Sequence, residues 1–417
     1  MQELIRTSVI SIGENKGSPR IWQEGKYLEK AAFNQGCRIR ITYREDSILV
    51  NLDKHGDHVI SRKKSVPLLD INNKKIAEVF DTAKKVQIIV RIAEILIKRT
   101  YRDDKISKRR TDGTHADIFG GGATMTQAAK QAGYKTKWAI EINKDYADIY
   151  QLNHEGVMYN SPISEIDFDS LEPVELLTAG IPCEPFSIAR QNQKDKEFHE
   201  NANLSLYVLI TIERTNPRTI ILEEVPAFAK SQIGMALIEA IKELGYNVEC
   251  KELCGTDFGE LALRKRVAIV CTTDTKPVFP QNTQQVRKVS EILLDPEDPE
   301  CKWWNRETKG WVFDHWEKQA AKGNNFQSAQ ITGDSEFVPA ITKRYFAQQG
   351  SNPVVKHPTK EGTFRWFTLT EVKRLQGLPD DYNLGETLTI AGEVMGQGVL
   401  VNVFQKVMEA NKKWVKQ

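Results

Sequence analysis

The stretch from Ala116 to Ile142 restricts the fold of this chain more than any other. The apolar run Ala116-Asp117-Ile118-Phe119 breaks into Gly120-Gly121-Gly122-Ala123-Thr124, and a helix-like segment from Met125 to Gly133 follows. A strand, a glycine turn and a helix in that order suggest a nucleotide pocket. The glycines permit close backbone approach, and the helix N-terminus offers unpaired N–H groups to a carboxylate or phosphate. Thr136-Lys137-Trp138-Ala139-Ile140-Glu141-Ile142 then reads as a second strand with an acidic end. That carboxylate lies about twenty positions on, the spacing at which one can hold ribose hydroxyls. No G-x-G-x-x-G fingerprint is present, which disfavours a nicotinamide or flavin.

The hexapeptide Pro182-Cys183-Glu184-Pro185-Phe186-Ser187 places a thiol on a proline-bounded loop directly after the apolar run Leu176-Leu177-Thr178-Ala179-Gly180. This layout reads as a strand ending in a nucleophile. The thiolate is the attacking species, so its surroundings must supply cationic or hydrogen-bonding help. The plain alternative for a lone cysteine is a small buried core residue. The other cysteines, Cys37, Cys250, Cys254, Cys271 and Cys301, lack paired metal-ligand spacing, so no metal and no zinc is expected. With no signal peptide and no apolar span of membrane length, a cytoplasmic enzyme without a membrane partner is the expectation.

With the thiol, the glycine turn and the acidic strand end in this order, the chain resembles the DNA cytosine C5-methyltransferase family of bacterial or phage type, which uses S-adenosyl-L-methionine. Further family blocks appear in sequence. They are Ile220-Ile221-Leu222-Glu223-Glu224-Val225-Pro226, Phe258-Gly259 followed by Arg264-Lys265-Arg266-Val267, Phe367-Thr368-Leu369-Thr370-Glu371 with Arg374 to Asp380, and Met395-Gly396-Gln397-Gly398-Val399. The resemblance spans roughly residues 115 to 415. It implies an α/β, Rossmann-like methyltransferase core, mainly parallel, with a smaller target-recognition domain and an N-terminal small β domain.

The resemblance also implies roles. Cys183 would add to C6 of a flipped-out cytosine, Glu223 would act at N3, Arg266 would hold O2, and Arg264 completes the catalytic set. Asp117, Phe119, Gly120, Gly121, Gly122, Ala123, Thr124, Glu141, Ile142, Ile163, Pro182, Leu204, Gln397 and Val399 would line the cofactor. Ser187, Arg190 and Gln191 on the loop after the thiol, with Lys343 and Arg344, would meet DNA. Several positions depart from the family pattern. Glu184 and Gln397 stand for Gln and Asn, Glu224 for the Asn beside the catalytic Glu, and Ala262 for a Gln. Pro162 occupies the place of an acidic residue, leaving Glu165 as its substitute, and Ala123-Thr124 that of a glycine pair. Glu184 and Glu224 would tend to raise the thiol pKa unless paired. Other readings are a DNA-binding regulator with an impaired core and a tRNA cytosine C5-methyltransferase; a sizeable insert favours duplex DNA over RNA.

Net charge is only +2, so a nucleic-acid partner must rest on local patches. Residues 1–75 are strand-rich, with runs at Ser8 to Ile12, Arg38 to Thr42, Ser47 to Leu52 and His58 to Ser61 and one helix-like piece near Lys26 to Ala32. Ile21 to Phe33 with Gly36 to Ile41 resembles SymE-like members of the AbrB-type swapped-hairpin group, which implies DNA binding or a homodimer through exchanged hairpins. Residues 76–114 read as an amphipathic helix over about 76 to 100, packed on the catalytic sheet, then a basic linker holding Arg102, Lys105, Lys108, Arg109 and Arg110. Residues 115–274 and 364–417 would form the catalytic core, closed by a helix from Leu400 to Ala410. Residues 275–363, polar and tryptophan-rich, would be the target-recognition domain. A cognate restriction endonuclease is a further expected partner of such an enzyme.

Overall fold

The computed structural model describes residues 4–45, 47–80, 85–99, 110–182, 194–273, 275–283, 285–323 and 329–413, and the chain divides into two compact units, Met1–Lys108 and Arg109–Gln417. Cys183, Glu184, Ser187, Arg190 and Gln191 lie outside the described residues, as do the cations of the linker up to Arg109.

Among the described residues the first unit holds ten strands: β1 (Leu4–Ser11), β2 (Gly13–Asn15), β3 (Ser18–Glu24), β4 (Arg38–Tyr43), β5 (Ser47–Leu52), β6 (His58–Val59), β7 (Ser61–Lys63), β8 (Val66–Asn72), β9 (Lys85–Arg91) and β10 (Glu94–Arg99). Short helices Tyr27–Lys30 and Lys75–Phe80 follow β3 and β8. The strands form two sheets, ordered β1-β9-β10-β5-β4-β6 and β2-β3-β8-β7. Ile21, Leu28, Phe33, Ile48, Ile76, Phe80, Ile88 and Ile97 are among the side chains that close a core inside this unit.

Both sheet orders are palindromic, because the unit is built twice. A shift of 48 residues carries β2, its left-handed turn residue Lys16, β3 and the first helix onto β7, Lys64, β8 and the second helix. A shift of 47 carries β4 and β5 onto β9 and β10. The pairings obey the same two-fold: Ile21 faces Ile71 while Gln23 faces Leu69, and Ile48 faces Ile97 while Val50 faces Ile95. Each repeat therefore completes its sheets with strands of the other.

The helix expected over 76 to 100 is replaced by the six-residue helix Lys75–Phe80 and the strands β9 and β10. Val86, Ile88 and Val90, like Ile95 and Ile97, alternate inward, and Ala93 turns the hairpin with φ 60°. β-Branched residues suit that pleated surface. These side chains fill the first unit's own core, and the unit continues past residue 75 to Lys108.

The second unit is organised by a seven-stranded sheet, β13-β12-β11-β14-β15-β18-β16. Its members are β11 (Thr114–Ile118), β12 (Lys135–Ile140), β13 (Val157–Tyr159), β14 (Leu176–Gly180), β15 (Thr219–Glu224), β16 (Asn247–Cys254) and β18 (Lys265–Thr272); the short β17 (Ala262–Leu263) lies apart. Only β18 runs against the others. Both faces are covered, as a mainly parallel sheet requires. Along β15, Ile220 and Leu222 pack with Val208, Ile212 and Leu237 of the helices Lys194–Thr215 and Gln232–Glu243, whereas Ile221 belongs with Phe404 and Val407 of the helix Val401–Ala410 on the opposite side.

Among residues 275–363, Trp304 and Trp316 are buried in an aromatic cluster with Phe364 and Trp366, with Trp304 4.8 Å from Trp366 and Trp316 5.4 Å from Phe364 between ring centroids. These tryptophans build a core rather than a base-contacting surface; Trp311 is the exposed one. No helix among the described residues is long and apolar enough to cross a membrane.

Candidate active site

The candidate site lies at the carboxyl ends of β11, β12, β14 and β15, where ligands bind in open α/β sheets. After β11 the backbone enters the left-handed region at Phe119, Gly121 and Ala123, with φ of 57°, 51° and 60°, and the helix Thr124–Gln131 begins. Glycine is required at 122: a Cβ there would stand 2.1 Å from Val394 Cγ1. Tyr382 donates its hydroxyl hydrogen to the Gly122 carbonyl at 3.0 Å, and the Val399 N–H donates to Thr124 Oγ1 at 3.0 Å. The late block Met395 to Val399 thus returns to the glycine turn, with Gln397 exposed beside it.

Two carboxylates shape this turn. Asp117 is fully buried, and its two oxygens accept from Thr126 Oγ1 at 2.8 Å and Thr178 Oγ1 at 2.7 Å. Burial pushes its pKa up to about 6. Glu141 accepts the Gly121 N–H and the Asn143 N–H, each at 2.7 Å, and burial raises its pKa as well. Glu141 therefore ties the two strand ends together, and Asn160 clasps the same corner by donating to the Glu141 and Ile142 carbonyls. Ile142 is two-thirds exposed, an apolar side chain left uncovered at the strand end. Ile163 is buried below it in sequence, Pro182 is exposed, and Leu204 packs part-buried against the apolar cluster under the sheet.

β14 and β15 bring the next group to the same edge. Gly180 stands opposite Glu223, and a Cβ on Gly180 would lie 3.6 Å from Glu223 Oε2 and 3.8 Å from the Phe119 carbonyl oxygen. The glycine turn, Glu223 and the segment leading to Cys183 therefore converge. Arg266 on β18 reaches across with Nε 2.6 Å from Glu223 Oε1. Glu224, the adjacent residue, is buried and bonds the Val225 N–H at 3.0 Å, turned away from its neighbour by the strand's alternation.

Arg264 is buried and donates to the Gly396 carbonyl at 2.9 Å. It holds the C-terminal block in place, while Arg266 is the arginine at Glu223. Lys343 and Arg344 are exposed on a loop whose backbone presses on Gly396, where a Cβ would stand 2.0 Å from the Lys343 nitrogen. Gly392 and Gly396 sit four apart on the helix Leu388–Gln397, a spacing that leaves one face bare for that loop. Sequence reading passed over this pair, although small residues at helical spacing carried the signal; the Thr126 and Thr178 partners of Asp117 carried none.

The residues fit S-adenosyl-L-methionine. A left-handed glycine turn gives close backbone approach, Glu141 has lone pairs beyond those its two N–H donors use, and the uncovered Ile142 is an apolar wall for an adenine ring. The family model described as C-5 cytosine-specific DNA methylase matches residues 113–413. Among curated relatives, the Type II methyltransferase M.DsaV of Dactylococcopsis salina is 27% identical over 304 residues, covering 70% of this chain and 84% of the relative. M.NlaX of Neisseria lactamica is 26% identical, covering 71% and 95%, and M1.ScrFI of Lactococcus lactis subsp. cremoris is 24% identical, covering 89% and 92%. Among solved structures, the S. pombe Dnmt2 methyltransferase superposes with a TM-score of 0.59 at 20% identity, covering 71% of this chain and 97% of that one.

Proposed function

Because the chain belongs to the C-5 cytosine-specific DNA methylase family, we propose that its DNA cytosine-5-methyltransferase activity runs through a covalent adduct made by Cys183 on duplex DNA. The observation that carries this reading is the Glu223–Arg266 pair, 2.6 Å apart, at a strand end opposite Gly180, three residues before the thiol. When bound, S-adenosyl-L-methionine supplies an electrophilic methyl group. The chain's residues prepare the other reactant. C5 of cytosine is a poor nucleophile until the Cys183 thiolate forms a bond to C6, which moves electron density through the ring toward C5 and N3. Glu223, holding a proton at Oε, donates it to N3 as that density arrives, and Arg266 orients Glu223 while its remaining N–H groups bind O2. Once C5 carries the methyl group, loss of the C5 proton to a base, departure of Cys183 from C6 as thiolate and return of the N3 proton to Glu223 restore the neutral aromatic ring.

None of these atoms is reachable in a stacked duplex, so the target cytosine must be turned out into the site. Ser187, Arg190 and Gln191 would follow the thiol into contact with the opened duplex, and Lys343 and Arg344 would bind phosphate. The Type II names of the relatives support a cognate restriction endonuclease as the biological partner. The test is methyl transfer from labelled S-adenosyl-L-methionine to duplex DNA with Glu223→Gln and Arg266→Ala. Each is expected to lower turnover by about 100-fold or more, the range for removing a proton donor or an electrostatic stabiliser. Turnover within a few-fold of the unaltered chain in both would overturn the assignment.

A further inference from the structure

The two units of the chain carry opposite net charge. Residues 1–108 hold 22 Lys and Arg against 14 Asp and Glu, a net +8, whereas residues 109–417 hold 36 against 42, a net −6. Duplex DNA carries about one negative charge per 1.7 Å of its axis. A unit of net negative charge does not gather such a polyanion from a distance, and one of +8 does. The nearly neutral whole conceals this division.

The cations of the first unit follow its two-fold. Lys16 and Lys64 occupy equivalent left-handed positions, φ 54° and 56°, in the β2–β3 and β7–β8 turns. Lys26 and Lys74 are equivalent residues just ahead of the two short helices. Because β3 and β8 are antiparallel, Lys26 and Lys64 share one end of the four-stranded sheet and Lys16 and Lys74 the other. The Gly25 N–H bonded to the Pro67 carbonyl at 3.2 Å ties the first of these ends. All four lysines are exposed, whereas Arg20 and Lys63 nearby are tied to Asp70 and Glu24. The seven residues of β3 set the two ends roughly 20 Å apart.

We propose that the first unit is a docking surface for duplex DNA, held through the dyad-related lysine pairs Lys26/Lys64 and Lys16/Lys74. A duplex has two-fold axes relating its two phosphate backbones, so a two-fold protein surface presents equivalent cations to both strands; a single strand has no such axis. Lysine is a point charge on a flexible stem, suited to phosphate contact without base readout. The inference rests on the duplex substrate proposed above and adds where the chain holds it.

The experiment is fluorescence anisotropy of the full chain with a labelled mixed-sequence duplex across about 50 to 200 mM salt. K16Q/K26Q/K64Q/K74Q is compared with the unaltered chain and with the all-arginine counterpart. Four lost phosphate contacts should reduce the slope of log K against log salt by about 3.6 and weaken binding tenfold or more at about 100 mM salt. The arginine variant should retain both values, and methyl transfer at saturating duplex should stay within about twofold for all three proteins, since none of the four residues is catalytic. Unchanged affinity and slope in the glutamine variant would overturn the proposal. So would an equal loss in the arginine variant, or single strands or duplex RNA bound as tightly with the same dependence on these lysines. Absence of methyl transfer with lysine-dependent duplex binding intact would sink the catalytic reading and leave this one standing.

Discussion

Asp117 is a carboxylate that the fold keeps for itself. Thr126 and Thr178 occupy both oxygens, and burial, which penalises the charge, pushes its pKa from the ordinary 3.8 up to about 6. A raised folded-state pKa contributes stability that is present below about 3.8 and lost as pH rises through about 6. His115, buried between Thr136 and Thr178, is lowered to about 3 and has the opposite sign, losing stability as pH falls below about 6.5. Melting Asp117→Asn beside the unaltered chain separates the two. The stability of the variant relative to the parent should rise by up to about 3 kcal/mol between pH 4 and 7 and level off above that. A difference independent of pH would contradict the buried-acid assignment. At this scale the sequence marked Glu141 as the acidic end of an apolar run, and the family resemblance marked Asp117, Glu223 and Arg266. It did not reveal that Arg264 turns inward to Gly396, because Arg264 sits in the break between β17 and β18 while Arg266 lies on β18, and nothing in the run Arg264-Lys265-Arg266 marks that break.

The helix Leu388–Gln397 is the element that joins the parts of the site, carrying Val394 against Gly122 and Gly396 against the Lys343 backbone. Gly396→Ala would push a methyl into main chain, which cannot move aside as a side-chain tip can. A cost of about 1–3 kcal/mol is expected, lowering the melting temperature by roughly 2–4 °C per kcal/mol. Gly122→Ala should cost a similar amount, and Val394→Ala should recover part of it by vacating the space the new methyl needs. Thermal melts of the single and double variants check this, and purely additive losses would contradict it. The strands of the catalytic sheet were legible because their apolar runs end abruptly in glycine or acid. Residues 76 to 100 were misread because Val86, Ile89, Val90, Ala93 and Ile97 satisfy a helical period. The alternating set Val86, Ile88, Val90, Ile95 and Ile97 is the one the fold uses.

Across the whole molecule, a pseudo-two-fold unit of net positive charge is joined to a catalytic unit of net negative charge. The exchanged hairpins suggested by residues 21–41 lie within one chain, since β3 pairs with β8 and β5 with β10. The full chain is therefore expected to sediment as a monomer, and a concentration-independent dimer would contradict an internally closed first unit. The duplication was hidden in the sequence because equivalent positions share character rather than identity, as with Ile21 and Leu69 or Val50 and Ile97. Strand register exposes it. Methyl transfer itself is tested most directly by incubating the full chain with labelled S-adenosyl-L-methionine and mixed-sequence duplex DNA, with Cys183→Ala and an RNA substrate in parallel, and mapping the modified base by sequencing. The expected result is label at C5 of cytosine in a defined duplex sequence, abolished by Cys183→Ala. Label that persists without the thiol, or that appears on RNA and not on DNA, would contradict it.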